Sequence, residues 1–186
     1  MKKVLVTAVL LIICAMVKAQ SFEFIYGGKS IPDGSIVTIQ AKEDVWGQLS
    51  CETNPSSNPQ NGLVLKLLKG GTADVRLELK IEQQTLEAGV LQWCMGGSCI
   101  PFGNKDYLMI DASVSGTAPV MFDATNVTSE GFLLAKLTGT MSLEQHTVFI
   151  RFINGGIVSV RGDVNGDGVA NASDIVEIVN IIMGKK

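Results

Sequence analysis

The octet VRLELKIE, from Val75 to Glu82, alternates apolar and charged residues without a break. Successive side chains of an extended chain point to opposite faces, so this stretch predicts a strand with one face on a core and the other in water. Shorter runs of the same kind, FEFIY, SIVTIQA, LVLKLL, FLLAKL and TVFIRFI, are separated by the turn-rich pieces GGKSIPDG, TNPSSNPQNG and FGNKD. Many short strands without a long helical pattern between them predict a mainly β fold, an antiparallel Ig-like β-sandwich over residues 20–155. No strand order follows from this pattern.

The first 19 residues read differently. MKKVLVTAVLLIICAMVKA has two early lysines, an apolar run from Val4 to Val17, and a small-residue cleavage site at Val17-Lys18-Ala19. That is the three-part layout of a secretory signal peptide, so the chain is expected to be secreted or displayed at the cell surface. The apolar run is shorter than the ~20 residues needed to span hydrocarbon, and no membrane span is expected. Cys14 would suggest lipid attachment, but the bulky Ile13 precedes it where lipoprotein signals usually have a small residue.

Without its leader the chain keeps roughly 165 residues, one domain with an appendage. The net charge of −3 becomes about −6 when Lys2, Lys3 and Lys18 are removed, and no run of Lys or Arg occurs. Nucleic acid is excluded as a partner, because its phosphates require a basic footprint.

Three cysteines follow the leader, at positions 51, 94 and 99. In LQWCMGGSCI the Gly96-Gly97 pair suits a two-residue hairpin turn, with Met95 and Ser98 closing it and Cys94 opposite Cys99. The latter would be a non-hydrogen-bonded pair with Cα atoms about 4.5 Å apart, which a disulfide can bridge in an oxidising compartment. With one His and no second Cys pair in the chain, zinc is not expected. Cys51 is left as a buried free thiol or a link to another chain.

The WCMGGSC segment resembles the CWGGQC-type turn of small Ig-like domains exported by anaerobic Gram-negative bacteria, with Trp93 before the first cysteine instead of after it. Trp93 is expected to pack near the disulfide, the competing reading being a sugar-stacking platform.

The C-terminal stretch RGDVNGDGVANASDIVEIVNIIMG, Arg161 to Gly184, carries the sharpest motif. Oxygen donors fall at Asp163, Asn165, Asp167, the Val169 carbonyl, Asn171 and Asp174, with Gly168 at the sharp turn. These are positions one, three, five, seven, nine and twelve of an EF-hand-type calcium loop, so Ca2+ is the expected metal ion. Calcium takes about six to eight oxygens, and alternate residues of a tightly coiled loop all point inward. Asn171 is expected to act through a water. Beyond the loop, Asn171 or Ser173 can cap a helix on which Ile175, Ile178, Val179 and Ile182 form one apolar stripe, and Gly184 can end it.

Asp174 in the last ligand position, the missing entering helix and the apolar spacing that follows resemble a type I dockerin repeat over about the last two dozen residues, 156–186 forming the appendage. Such modules usually carry two repeats, and one is present here. The resemblance implies calcium-dependent protein–protein interaction with a cohesin-like domain on an extracellular scaffold, often in polysaccharide breakdown. A lone helix of this length is marginal in water, so the stripe must be buried on its own sandwich, on a copy from another chain, or in a partner. The first arrangement makes the loop a structural staple, and the others make it an interaction device.

The RGD of Arg161 to Asp163 invites an adhesion reading, but Asp163 is already the first calcium ligand. The sequons at Asn126 and Asn171 are incidental, the second lying inside the loop. No catalytic motif is present, and the single His146 is expected to face water on a strand. A glycosidase would need two carboxyl groups about 5–10 Å apart, and Glu43, Asp44, Glu130 and Glu144 cannot be placed relative to one another. The expectation is a non-enzymatic docking protein. The alternatives are a carbohydrate-binding module with Trp46, Trp93, Tyr26 or Tyr107 as stacking residues, or a surface adhesion or inhibitor domain whose calcium loop only stabilises it.

Overall fold

The computed structural model describes residues 20–43, 47–55, 61–95, 98–155, 164 and 172–183. Fourteen strands are described in chain order. They are β1 (Phe22–Tyr26), β2 (Lys29–Ile31), β3 (Ile36–Gln40), β4 (Lys42–Glu43), β5 (Leu49–Glu52), β6 (Val64–Leu67) and β7 (Thr72–Gln84). Then follow β8 (Ala88–Met95), β9 (Ser98–Pro101), β10 (Tyr107–Ser115), β11 (Thr117–Pro119), β12 (Met121–Val127), β13 (Gly131–Met141) and β14 (Glu144–Asn154). A helix, α1 (Ala172–Ile182), follows them. The fold is the expected β-sandwich.

One layer is the five-stranded sheet β10-β7-β13-β14-β3. Its pairs are antiparallel except β14 with β3, which run parallel from Phe149↔Ile36 to Ile153↔Gln40. The alternation in β7 has the expected sense: Val75, Leu77 and Leu79 are buried, and Arg76 and Lys80 are exposed. Leu133, Ala135 and Leu137 of β13 continue that inner face, and Ile150 and Phe152 of β14 extend it towards Val37 and Ile39 of β3.

The second layer consists of two smaller sheets, β11-β6-β1-β2 and β4-β5-β12-β8-β9. They meet where only Val120 separates β11 from β12. Thr53, fully buried, holds this seam. Its hydroxyl donates to the Val120 carbonyl (2.9 Å) and accepts from the Phe122 N–H (2.6 Å). Its N–H donates to the Phe122 carbonyl (3.0 Å), and its own carbonyl accepts from the Leu63 N–H (2.9 Å). The Asn54 amide adds bonds to the carbonyls of Leu63 (2.9 Å) and Val120 (2.7 Å). Gly62 lies so close to Asn54 that an added Cβ would overlap the amide oxygen, so the approach requires a residue without a side chain.

Aromatic rings join the layers. Phe122 stacks on Phe152 with centroids 4.8 Å apart, and Phe22 and Phe24 pack over Gly139 of β13. A Cβ on Gly139 would stand 2.8 Å from the Phe22 ring. The piece GGKSIPDG, read from sequence as a turn, contains the short strand β2. Its apolar signal is the single Ile31, whose burial between flanking turns is set by pairing with Phe24.

Replacing Thr53 by Val keeps the side chain's shape but removes the acceptor of the buried Phe122 N–H and leaves the Val120 carbonyl with the Asn54 amide alone. A loss of about 1–3 kcal/mol is expected in denaturant unfolding, the cost of orphaning one buried N–H.

Candidate functional site

Of the six expected calcium donors, Asp174 lies among the described residues, and Asp163, Asn165, Asp167, Val169 and Asn171 lie outside them. So do the sharp turn at Gly168 and the RGD triplet. Asp174 sits in the first turn of α1, where a carboxylate is favoured by the positive end of the helix dipole. It is 2% exposed, and its Oδ1 accepts a hydrogen bond from the Val164 N–H at 2.8 Å. This bond ties the second position of the expected loop to its twelfth. A carboxylate this buried requires cationic or hydrogen-bonding compensation, which the Val164 N–H supplies in part, and its chemistry is compatible with the expected role as a calcium donor. Among the described residues no cluster of three or more His, Cys, Asp or Glu side chains is placed to hold a metal.

The expected stripe on α1 is uncovered. Ile175 is 62% exposed, Ile178 40%, Val179 45% and Ile182 77%. Val176, Ile181 and Met183 are exposed as well, so apolar surface extends beyond the one stripe read from sequence. No basic residue occupies the last turn of the helix. A helix apolar over most of its circumference is ordinarily buried.

Cys94 and Cys99 form a disulfide with Cα atoms 4.0 Å apart, and Met95 pairs with Ser98 as expected. The glycines between them lie outside the described residues. Trp93 is fully buried, opposite Phe122 and Ile100 in neighbouring strands, and is core rather than a stacking platform. Cys51 is a buried free thiol whose pKa burial pushes up to about 11, so it is inert as a nucleophile at neutral pH.

His146 overturns its expectation, being 4% exposed. Its partner across the sheet is Gly139, and the space which that glycine leaves is filled by Phe22 and Phe24, with centroids 6.1 and 5.4 Å from the imidazole. The aromatic rings of the other sheet thus cover a side chain that the local pattern places in water. Of the remaining stacking candidates, Tyr26 is half-buried on β1, Tyr107 is exposed on the edge strand β10, and Trp46 lies outside the described residues. Tyr26 and Tyr107 belong to different sheets and form no row.

The carboxylates singled out from sequence do not form one group. Glu43 lies on β4 and Glu144 on β14, Glu130 packs against Gly155, and Asp44 is outside the described residues. The fold instead sets Asp123 of β12 directly across from Glu52 of β5, a pairing that brings side chains within about 5 Å at Cβ. Asp123 is 7% exposed, and its Oδ1 has no hydrogen-bond partner among the described residues. Burial, reinforced by the charge of Glu52, raises its pKa to about 6, against the opposing pull of Gln92 and the Thr53 backbone. A carboxyl that titrates this high can exchange a proton near neutrality, as a general acid or base must. An open groove along β2 and β3 and another beside Arg76 and Asp111 do not include this pair. No sequence signal marked it, because a register is needed to bring the two residues together.

No family model and no curated protein matches this chain. Among solved structures it is similar to the N-terminal domain of PorA, at 15% identity over 73% of this chain and 98% of that one, with a TM-score of 0.49. BslA, a bacterial hydrophobin, aligns at 10% identity over 75% and 98% of the two chains, with a TM-score of 0.39. A family 123 glycoside hydrolase from Clostridium perfringens aligns at 11% identity over 68% of this chain and 23% of its own, with a TM-score of 0.29.

The raised pKa of Asp123 has a definite sign. The folded state binds this proton more tightly than the unfolded chain, so the associated stability is complete below about pH 4 and is lost as pH rises to about 6. Asp123→Asn is expected to stabilise the protein at pH 7 by on the order of 1–2 kcal/mol and to leave it unchanged at pH 4. Paired urea titrations at the two pH values, both in EDTA, measure the difference.

Proposed function

We propose that this is a secreted, non-catalytic β-sandwich protein whose C-terminal loop and helix dock, in the presence of calcium, onto an extracellular protein partner. The observation that carries the reading is the exposure of Ile175, Ile178, Val179 and Ile182 on a helix whose first turn is tied to the preceding loop through Asp174. Burial of such a side chain is worth about 1.5–3 kcal/mol, so a partner surface accepting several of them has a substantial driving force. The uncovered apolar surface of the helix supports docking over the reading in which the loop is only a structural staple.

Asp163, Asn165, Asp167, the Val169 carbonyl, Asn171 through a water, and Asp174 would hold the calcium. When bound, the ion neutralises the acidic loop and fixes its path into α1. The chain's own contribution is Asp174, which bonds the Val164 N–H and so couples the loop to the face of the helix. The dockerin-like spacing makes a cohesin-like domain the partner, in a setting of polysaccharide breakdown. Removal of residues 1–19 as a signal peptide would deliver the chain to the compartment in which the Cys94–Cys99 disulfide is stable. Among the described residues no helix is long and apolar enough to cross a membrane.

Calorimetry is expected to show one calcium ion per chain and Asp174→Ala to weaken its binding by at least about tenfold. Ile178→Asp/Val179→Asp is expected to leave calcium affinity intact yet abolish calcium-dependent retention of a cohesin-like domain. Retention of that domain in EDTA, or by the double variant, would sink the docking reading.

A further inference from the structure

The contacts at the start of β1 bear on how the chain is processed. Gln20 is exposed, yet its side-chain amide nitrogen donates to His146 Nδ1 at 2.7 Å. The next N–H, that of Ser21, donates to both oxygens of Glu144, at 3.0 and 2.9 Å. The Ser21 carbonyl accepts from the Leu68 N–H at 2.9 Å. Glu144 and His146 are two residues apart on β14 and therefore share a face, so one strand grips two successive residues of the incoming chain. Anchoring this dense begins one residue after Val17-Lys18-Ala19.

We propose that hydrolysis of the Ala19–Gln20 bond makes Gln20 the first residue of the working protein, and that β14 holds the new terminus, Glu144 taking its ammonium and His146 its carboxamide. The proposal rests on the leader reading alone and is independent of the docking helix. The cleavage consumes one water and leaves a carboxylate on Ala19 and an ammonium on Gln20. An ionised carboxylate offers about four lone-pair sites, of which the Ser21 N–H occupies two, so Glu144 retains capacity for a donor one residue away. Such a pair is charge-assisted and stronger than a bond between neutral groups.

The latch also has a chemical consequence. A free N-terminal glutamine can attack its own side chain: its amine forms a bond to Cδ, the Cδ–Nε2 bond breaks, ammonia leaves, and a neutral lactam remains. That route needs a free amine and a side chain folded back upon it. Glu144 keeps the amine charged, and His146 holds the carboxamide by the same nitrogen that would have to leave. The terminus should therefore persist as open glutamine.

Protein recovered after export is to be weighed intact and then treated with glutaminyl cyclase, alongside Glu144→Gln and His146→Phe recovered in the same way. Phenylalanine retains a ring beside Phe22 and Phe24 and removes only the acceptor, and circular dichroism checks that both variants fold. The expected result is a wild-type mass for residues 20–186 without loss of ammonia, and enzymatic cyclisation at least about tenfold slower than in either variant. A mass that begins elsewhere overturns the leader boundary and with it the proposal. A mass that begins at Gln20 but already lacks ammonia, or equal cyclisation rates in all three proteins, overturns the latch and leaves the boundary standing.

Discussion

The sandwich depends on one buried threonine. The large sheet is continuous from β10 to β3, but the layer facing it is divided into a four-stranded and a five-stranded sheet, both built of mostly shorter strands. Thr53 closes the division by acting as a two-sided piece of backbone, its hydroxyl donating to one strand segment and accepting from the residue after next. A residue with only apolar atoms could fill the same volume but could not answer the polar groups that two converging strand ends leave unpaired. Satisfying them lets Phe122, immediately beyond the seam, lie flat on Phe152, so hydrogen bonding in one layer positions the stacking between layers.

Strong alternation made parts of this architecture readable from the sequence, and weak alternation concealed others. β7 was legible because each of its charged residues faces water opposite an apolar neighbour, and β1, β3 and β6 were bounded by glycine, proline and asparagine turns. β10 and β12 were harder to see. MFDATNV places an acid in the middle of a buried run, and the cause lies outside the strand, in β5 and β8 on either side of it. The Cys94–Cys99 bridge was legible because its register is local, determined by a two-residue turn. His146 was misread because a residue's exposure depends on what packs over it, here two rings brought from β1 more than a hundred positions earlier.

The two acidic features illustrate opposite ways of handling charge. Asp174 is more deeply buried than Asp123 but stands at the positive end of a helix and accepts a backbone N–H. Asp123 faces another carboxylate, one of its oxygens has no hydrogen-bond partner among the described residues, and its environment favours the neutral form. Sequence spacing singled out the first because the expected donors of a calcium loop lie within one run of twelve residues. The second depends on strands some seventy residues apart, and only the folded chain shows it.

The parallel pairing of β3 with β14 determines what flanks the last described strand. β14 is not an edge strand: β13 flanks it on one side and β3 on the other, so the last strand before the helix lies inside the large sheet. If the helix is gripped by something that moves, tension enters the sandwich along the axis of β14 and is opposed by two hydrogen-bond ladders at once. Bonds on both sides of a strand pulled along its own axis are loaded in shear and must give way together, whereas those of an edge hairpin peeled from its end can open one after another. A load applied beyond Asn154 would therefore meet the two ladders of an inner strand before it reached any edge of the large sheet.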